Sequence, residues 1–482
     1  MSEFISNILK LVSGSVVAQI LAIILIPIIT RLYTPEDYGT FSLILAITAI
    51  IAIFSSLSYQ LAIMLPKEYE DAAQIVTLCF ILIIFSSIIT GVLFSSFASS
   101  IAGALNVPAM EQYLWCVPFL VFFTASYSVL AYWNSRRKLF GAYAVAQVTN
   151  SLTSKGVQIG MGMMSASPFN LILGIFFGYF CAICIMLKGF SKDLTFFKNT
   201  SFNKVKQLAI RYKKFPIYTS WSTTSNTVST QITPLLLVYF YSPLIVGYFS
   251  MALLVVQMPM SLIGSATGQV FFQKASEEKN RTGSVKTIVE EVHKRLISIG
   301  IFPFFVLMIM GRDLFAFFLG SQWGSAGEYA SILSPWLFLV FIASPLSTLF
   351  CVLERQNIDL SFNFLILLSR IIVLYLGGIF GSPTTALIFF SLTGVVFWGW
   401  MNFYILKISG VSISKGIEDF STFFLISCIV AIPLIISKYL SLSISMLFII
   451  VGIVTSVYYT VIIFRDPVLK QELAGILKRV RP

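Results

Sequence analysis

Lys155 and Arg370 each fall midway along an apolar run of membrane-spanning length, where charge is rare. A charge at the bilayer centre costs about 2.5–3.5 kcal/mol on insertion scales, so it persists only with a compensating role. Two fixed cations facing one cavity would attract an anion and oppose cations. The plainer alternative is that they make structural hydrogen bonds to helix ends or carbonyls. A second signal is the run 220–231, which packs Ser220, Ser222, Thr223, Thr224, Ser225, Asn226, Thr227, Ser229, Thr230 and Gln231 into one apolar neighbourhood. Serine and threonine also serve as small helix-packing residues, but Asn226 and Gln231 among so many hydroxyls favour the wall of a wet cavity. Gln19, Tyr59, Gln60, Gln257 and Gln269 add polar positions to spans one, two and eight. Such a lining offers many neutral donors and acceptors, which suits sugar hydroxyls.

Other chemistry is poorly supplied. The single histidine, His293, lies in a polar connector, which excludes histidine metal sites and catalytic triads. Cys181 and Cys184 spell CxxC, but with no second pair they read as small residues on a buried helix face. All six cysteines fall in apolar segments, so neither a disulfide framework nor a metal or cofactor is expected. No Asp or Glu can be placed in the middle of a span, which leaves no intramembrane carboxylate as a proton carrier.

The elements that must position these residues are membrane helices. The chain is 57% hydrophobic and only 11% charged, with a mean hydropathy of +0.90, outside any soluble globular class. Spans are expected near 11–30, 41–64, 74–98, 113–132, 144–164, 170–187, 216–240, 248–272, 296–310, 330–353, 360–380, 386–406, 420–437 and 444–464. Each reaches or approaches the roughly 20 residues that cross a bilayer, and only helices satisfy their own backbone there. The net charge of +12 would point to nucleic acid in a soluble protein, but its distribution argues otherwise. With the N-terminus inside, the inner connectors and tails hold 27 Lys/Arg and the outer ones 3, so both termini are expected in the cytoplasm. The N-terminus lacks a small-residue cleavage site before Arg31 and reads as an uncleaved first span. No outer connector is long enough for an extracytoplasmic catalytic domain.

Two halves are visible. Tyr33-Thr34-Pro35-Glu36-Asp37-Tyr38-Gly39-Thr40-Phe41-Ser42 matches Tyr241-Ser242-Pro243-Leu244-Ile245-Val246-Gly247-Tyr248-Phe249-Ser250 at five of ten positions. Each follows an upstream proline, Pro27 and Pro234. Val121-Phe122, Ser128, Leu130 and Arg136 match Val340-Phe341, Ser347, Leu349 and Arg355 at a constant offset of 219, which puts Lys155 within about one turn of Arg370 in the equivalent helix. The expected organisation is an N-terminal lobe at 1–195, a basic cytoplasmic linker at 196–214, a C-terminal lobe at 215–408, and two more spans with an amphipathic tail at 409–482. The connector 188–214 carries eight cations against Asp193 and reads as a solvated inner loop, with anionic lipid headgroups as a second partner. Leu469, Leu473, Ile476 and Val480 recur at helical spacing beside Lys470, Lys478, Arg479 and Arg481, as in a helix lying on the inner surface.

The stretches Arg31 to Gly39, Trp323-Gly324-Ser325-Ala326-Gly327-Glu328-Tyr329 with Pro335-Trp336, Ser344-Pro345-Leu346-Ser347 and Leu353-Glu354-Arg355-Gln356 resemble the bacterial O-antigen and capsule oligosaccharide flippases. These belong to the multidrug/oligosaccharidyl-lipid/polysaccharide exporter superfamily. The resemblance implies a MATE-like fold of two six-helix lobes plus two C-terminal helices, with a cavity lined mainly by spans one, two, seven and eight. It implies a non-enzymatic flippase of the bacterial inner membrane that moves polyprenyl-pyrophosphate-linked oligosaccharide units between leaflets by alternating access. A polysaccharide polymerase and a chain-length regulator are its implied partners. Lys155 and Arg370 would hold the pyrophosphate or act behind it, since spans five and eleven lie further from the axis in that fold. Competing readings are a lipid-linked peptidoglycan precursor flippase, a multidrug exporter of the same fold and, from another class, a polymerase or glycosyltransferase.

Overall fold

The computed structural model describes residues 2–188, 193–197, 201–353, 355–440 and 442–465. Among them are fourteen helices of twenty residues or more and no strand. They are α1 (Ser2–Leu32), α2 (Pro35–Ser55), α3 (Tyr69–Ala104), α4 (Val117–Arg136), α5 (Phe140–Met164), α6 (Pro168–Leu187) and α7 (Ser220–Phe240). The second seven are α8 (Pro243–Thr282), α9 (Lys286–Leu319), α10 (Gly324–Leu346), α11 (Gln356–Phe380), α12 (Pro383–Ser409), α13 (Ile413–Tyr439) and α14 (Ile444–Arg465). Twelve of these fourteen are long and apolar enough to cross a membrane. The exceptions are α5 and α7, the helices that carry Lys155 and the hydroxyl-rich run, so the two long helices without a sufficiently apolar stretch are those with the candidate polar residues. The expected tail helix around Leu469–Val480 lies outside the described residues, as do Lys192, Lys198 and Glu354.

Local sequence explains the helix ends. Thr34 caps α2 by accepting from the Asp37 amide at 3.1 Å while Asp37 returns a bond to the Thr34 amide at 3.0 Å, and Pro35 occupies the first turn where its missing N–H costs nothing. Gly320 and Gly410, at φ +112° and +80°, close α9 and α12 in backbone geometry that a side chain resists. One boundary differs from the expected second span. The helix stops at Ser55, because Leu57 and Ser58 take φ of +48° and +59°, and Tyr59 and Gln60 lie in a separate short turn, Tyr59–Ala62.

The helices pack as two units. The first comprises Met1–Met258 with Phe362–Ala386, and so groups α7, the front of α8 and most of α11 with the first six helices. Its core includes Trp133, Cys79, Val76 and Val129, all at most 1% exposed, with Ala72, Ala73 and Ala125 allowing α3 and α4 to approach closely. The second comprises Pro259–Ser361 with Leu387–Pro482. There Tyr458 of α14 stacks on Phe302 of α9 at 4.5 Å and donates to the Ser298 carbonyl at 2.8 Å. Gly311 and Gly327 bring α9 and α10 into backbone contact, and Ser331 bonds across to the Leu307 carbonyl at 2.8 Å.

Candidate functional site

Within the first unit, both membrane cations are held by neutral groups. Lys155 Nζ donates to Gln158 Oε1 at 3.1 Å, and Gln158, 1% exposed, donates from Nε2 to the Leu171 carbonyl of α6 at 3.0 Å. Among the described residues no carboxylate pairs with Lys155, which is half-buried. Arg370 donates from Nη1 to the Ser229 carbonyl at 2.7 Å and to Ser229 Oγ at 3.2 Å, joining α11 to α7. Pro234 inside α7 has no N–H for the carbonyl of Thr230, the residue next to Ser229.

The hydroxyl-rich helix α7 has two faces. Ser220, Thr224, Ser229 and Thr233 are buried, and Ser220 Oγ donates to Ser58 Oγ at 3.1 Å. Thr224 Oγ1 is buried with no hydrogen-bond partner among the described residues. Thr223, Asn226 and Thr230 are exposed at i, i+3 and i+7, a single polar stripe. Thr223 and Thr230 bond back to the Thr219 and Thr227 carbonyls at 2.9 and 2.8 Å, which absorbs their protons but leaves each oxygen able to accept. Thr227 and Gln231 are half-buried beside this stripe, and Gln257 is exposed on α8. An amide among hydroxyls has no satisfactory partner in hydrocarbon, so this face needs water or a polar ligand.

The repeated Pro-x-x-x-Gly segments meet each other directly. A Cβ on Gly39 would run into the Pro243 carbonyl, with its carbon at 2.6 Å and Gly247 N at 2.9 Å. A Cβ on Gly247 would run into the Pro35 carbonyl, with its carbon at 2.8 Å and Gly39 N at 3.1 Å. The first turns of α2 and α8 thus cross with only hydrogens between their backbones. The flanking tyrosines repeat as well. Tyr33 donates to the Gln158 carbonyl of α5 at 2.6 Å and Tyr241 to the Gly377 carbonyl of α11 at 2.8 Å, and Gln158 and Gly377 are separated by the offset of 219 found between the two halves. Burial and then the Asp37 carboxylate push the Tyr33 phenol up to about 12, and burial raises that of Tyr241, so both remain donors at neutral pH. At the same end, Asn106 donates to the Tyr239 carbonyl at 2.9 Å.

At the opposite end of α2 and α7 the contacts are between side chains and include the Ser58–Ser220 pair and an edge-on approach of Phe54 to Trp221 at 6.3 Å, with Phe215 packed against the Tyr59 and Ile63 cluster. Tyr59, expected on a cavity wall, is 7% exposed and donates to the Ala209 carbonyl at 2.9 Å, while Gln60 accepts from Ser56 at 2.5 Å. Gln19 is half-buried on α1, and the side chain of Gln269 is outside the described ones. The connector is docked more firmly than a solvated loop. Asp193, 1% exposed, pairs with Arg137 at 2.8 Å and accepts from Trp133 Nε1 at 3.0 Å. Helix Phe202–Arg211 buries Val205 and Leu208 and pairs Lys204 with Asp71 of α3 at 3.0 Å. The single acid in a basic stretch was the available signal for this anchor. For the α2–α8 crossing it was the identical proline-to-glycine spacing in both halves.

Residues 28–328 match the family described as "Polysaccharide biosynthesis protein". No curated protein matches the chain. Among solved structures the fold is similar to that of the lipid II flippase MurJ in an inward closed conformation, at a TM-score of 0.71 and 11% identity, over 94% of this chain and 99% of that one. It is also similar to an inward-facing multidrug resistance MATE family transporter of the MOP superfamily, at a TM-score of 0.55 and 12% identity, over 82% and 96% of the two chains. The Vibrio cholerae MATE transporter VcmN, in a point-mutant form, gives a TM-score of 0.53 at 12% identity, over 84% and 96%.

Proposed function

Because the chain belongs to the polysaccharide biosynthesis protein family, matched over 28–328, and has the fold of flippases and exporters of the MOP superfamily, we propose that it flips polyprenyl-pyrophosphate-linked oligosaccharide across the bacterial inner membrane. The observation that carries this reading is the exposed stripe Thr223, Asn226 and Thr230 on α7, with Arg370 bonded to the same helix at Ser229. Hydroxyls and an amide accommodate sugar, and a guanidinium favours an anionic linkage. Lys155, on the equivalent helix of the other half, supplies the second cation. Both termini are assigned to the cytoplasm on the 27-to-3 distribution of basic residues. The α2–α8 crossing then lies at the outer end and the Ser58–Ser220 contact at the inner end.

Alternating access follows from that inequality. The inner contacts are between side chains, among them the Ser58–Ser220 pair and Phe54 against Trp221, whereas the outer is backbone against backbone, so in this reading the inner end parts first and admits the head group. The polyprenyl chain stays in lipid, because hydrocarbon gains nothing from a polar passage. Lobes 1–195 and 215–408 act as the two moving halves, with 196–214 as the linker between them. A polymerase and a chain-length regulator would take the product on the outer face.

Deleting the gene and locating the lipid-linked oligosaccharide tests the reading. Flipping predicts accumulation of complete precursor on the inner leaflet, restored to the outer leaflet by the wild-type chain. Shortened or missing precursor would instead make the protein a synthase, and accumulation of peptidoglycan precursor alone would transfer the assignment to that substrate.

A further inference from the structure

A slot in the second unit is not used by this mechanism. Two cavities, about 330 and 180 Å³, share Leu339, Val395 and Phe420 and so form one groove among α9, α10, α12 and α13. Its floor follows α9 through His293, Ile297, Ile301, Phe305 and Met308, a helical stripe about 22 Å long. That exceeds the roughly 15 Å depth of one hydrocarbon leaflet, half of a core about 30 Å thick. Its rims are exposed, with Val396 at 68%, Trp400 at 46% and Ile417 at 48%, so it opens sideways between α12 and α13 onto whatever surrounds the helices.

The groove is more polar at one end, because the hydroxyl of Ser334 at the other is committed to the Ser331 carbonyl at 2.8 Å. His293 and Asn402, 5% and 6% exposed, line that end, and the rest of its wall is almost wholly aliphatic or aromatic. Asn402 donates from Nδ2 to the Leu339 and Trp398 carbonyls at 3.1 and 2.8 Å, which fixes its orientation, yet its Oδ1 is buried with no partner among the described residues. A buried acceptor left unpaired costs about 1–3 kcal/mol, so this one points to a donor that the chain does not supply. Lys294 and Lys407 stand exposed beside the same end, on the basic side of the membrane.

We propose that this groove is a binding site for one phospholipid of the cytoplasmic leaflet. An acyl chain lies along α9, the glycerol or amine donors of the head group face Asn402, and the phosphate lies toward Lys294 and Lys407. A surrounding bilayer supplies this ligand at high local concentration, and an extended chain matches both the length and the one-ended polarity of the groove. The site stands on the second unit alone and does not depend on what the protein transports.

The test is photocrosslinking of the full-length protein in phosphatidylethanolamine/phosphatidylglycerol vesicles, using a phospholipid with a diazirine midway along one acyl chain. Labelled peptides are expected from α9, α12 and α13. Gly399, on the groove wall, has open space ahead of its Cβ, with Leu339 Cδ1 nearest at 3.9 Å, so Gly399→Leu fills the groove without meeting backbone. It should lower groove labelling several-fold while labelling of α14 stays constant, and Gly399→Ala should label as the parent does. Lys407→Ala should weaken competition by unlabelled phosphatidylglycerol. Equal groove labelling in Gly399→Leu, or displacement of the probe by a polyprenyl phosphate but not by phospholipid, would overturn the proposal.

Discussion

Replacing Gly39 by alanine places a methyl group 2.6 Å from the Pro243 carbonyl carbon, whereas ordinary contact begins at 3.4 Å. The carbonyl oxygen lies closer still, so the first turns of α2 and α8 must part by more than the about 0.8 Å that separates those two distances for the carbon. Neither partner yields, because both are backbone. Overpacking of this kind costs about 1–3 kcal/mol, all of it charged to the state in which the crossing is closed. The closed-to-open ratio should fall by about fivefold to 150-fold. A reporter is Thr40, the next residue, 5% exposed in the closed crossing. In a cysteine-free background, Thr40→Cys should react with a membrane-impermeant thiol reagent from outside, faster by that factor when Gly39→Ala is added. Gly247→Ala should act similarly, and the double variant should gain less than the product of the two, since helices already parted have room for the second methyl. If a well-folded Gly39→Ala protein is labelled at the parent rate, the crossing is packing alone and the gating argument fails.

Arg370→Ala removes a charge-assisted hydrogen bond to the Ser229 carbonyl, at about 1.5–3 kcal/mol, and should abolish oligosaccharide display, while Arg370→Lys should recover stability better than transport because it lacks the planar fork. Thermal unfolding alongside an export assay separates the two effects. Lys155→Met should leave folding intact and reduce export; unchanged export at normal expression would remove this residue from the site. Asp193→Asn should release the connector to proteolysis and lower stability, by less than the about 3–5 kcal/mol of a fully buried pair, because the Arg137 side chain is 26% exposed. Tyr33→Phe loses one hydrogen bond, about 0.5–1.5 kcal/mol. The Tyr33 phenol is raised in the folded state from 10.0 to about 12, so its contribution is complete below pH 10 and disappears as pH rises through 12. The stability advantage of the wild type over Tyr33→Phe should therefore shrink as pH rises through that window.

Hydropathy by itself determined that the chain is a bundle of long apolar helices and roughly where each one lies, because a bilayer imposes length and apolarity on each segment separately. It also located the two cations and the polar helix, since each is an exception to that local rule. The distant partners of those residues were not legible. Gln158 stands one turn from Lys155 on α5, a local pair, but the packing of α5 on α6 supplied the Leu171 carbonyl that orients Gln158, and Arg370 meets a Ser229 carbonyl 141 positions away. Tyr59 and Gln60 read as part of a span until two left-handed residues broke the helix ahead of them. The docking of a strongly basic connector through one buried aspartate, and the meeting of two glycines 208 positions apart, depend on distances between segments that no single segment encodes. Local composition therefore decided what each element is, and tertiary packing decided which backbone, amide or ion each polar group meets.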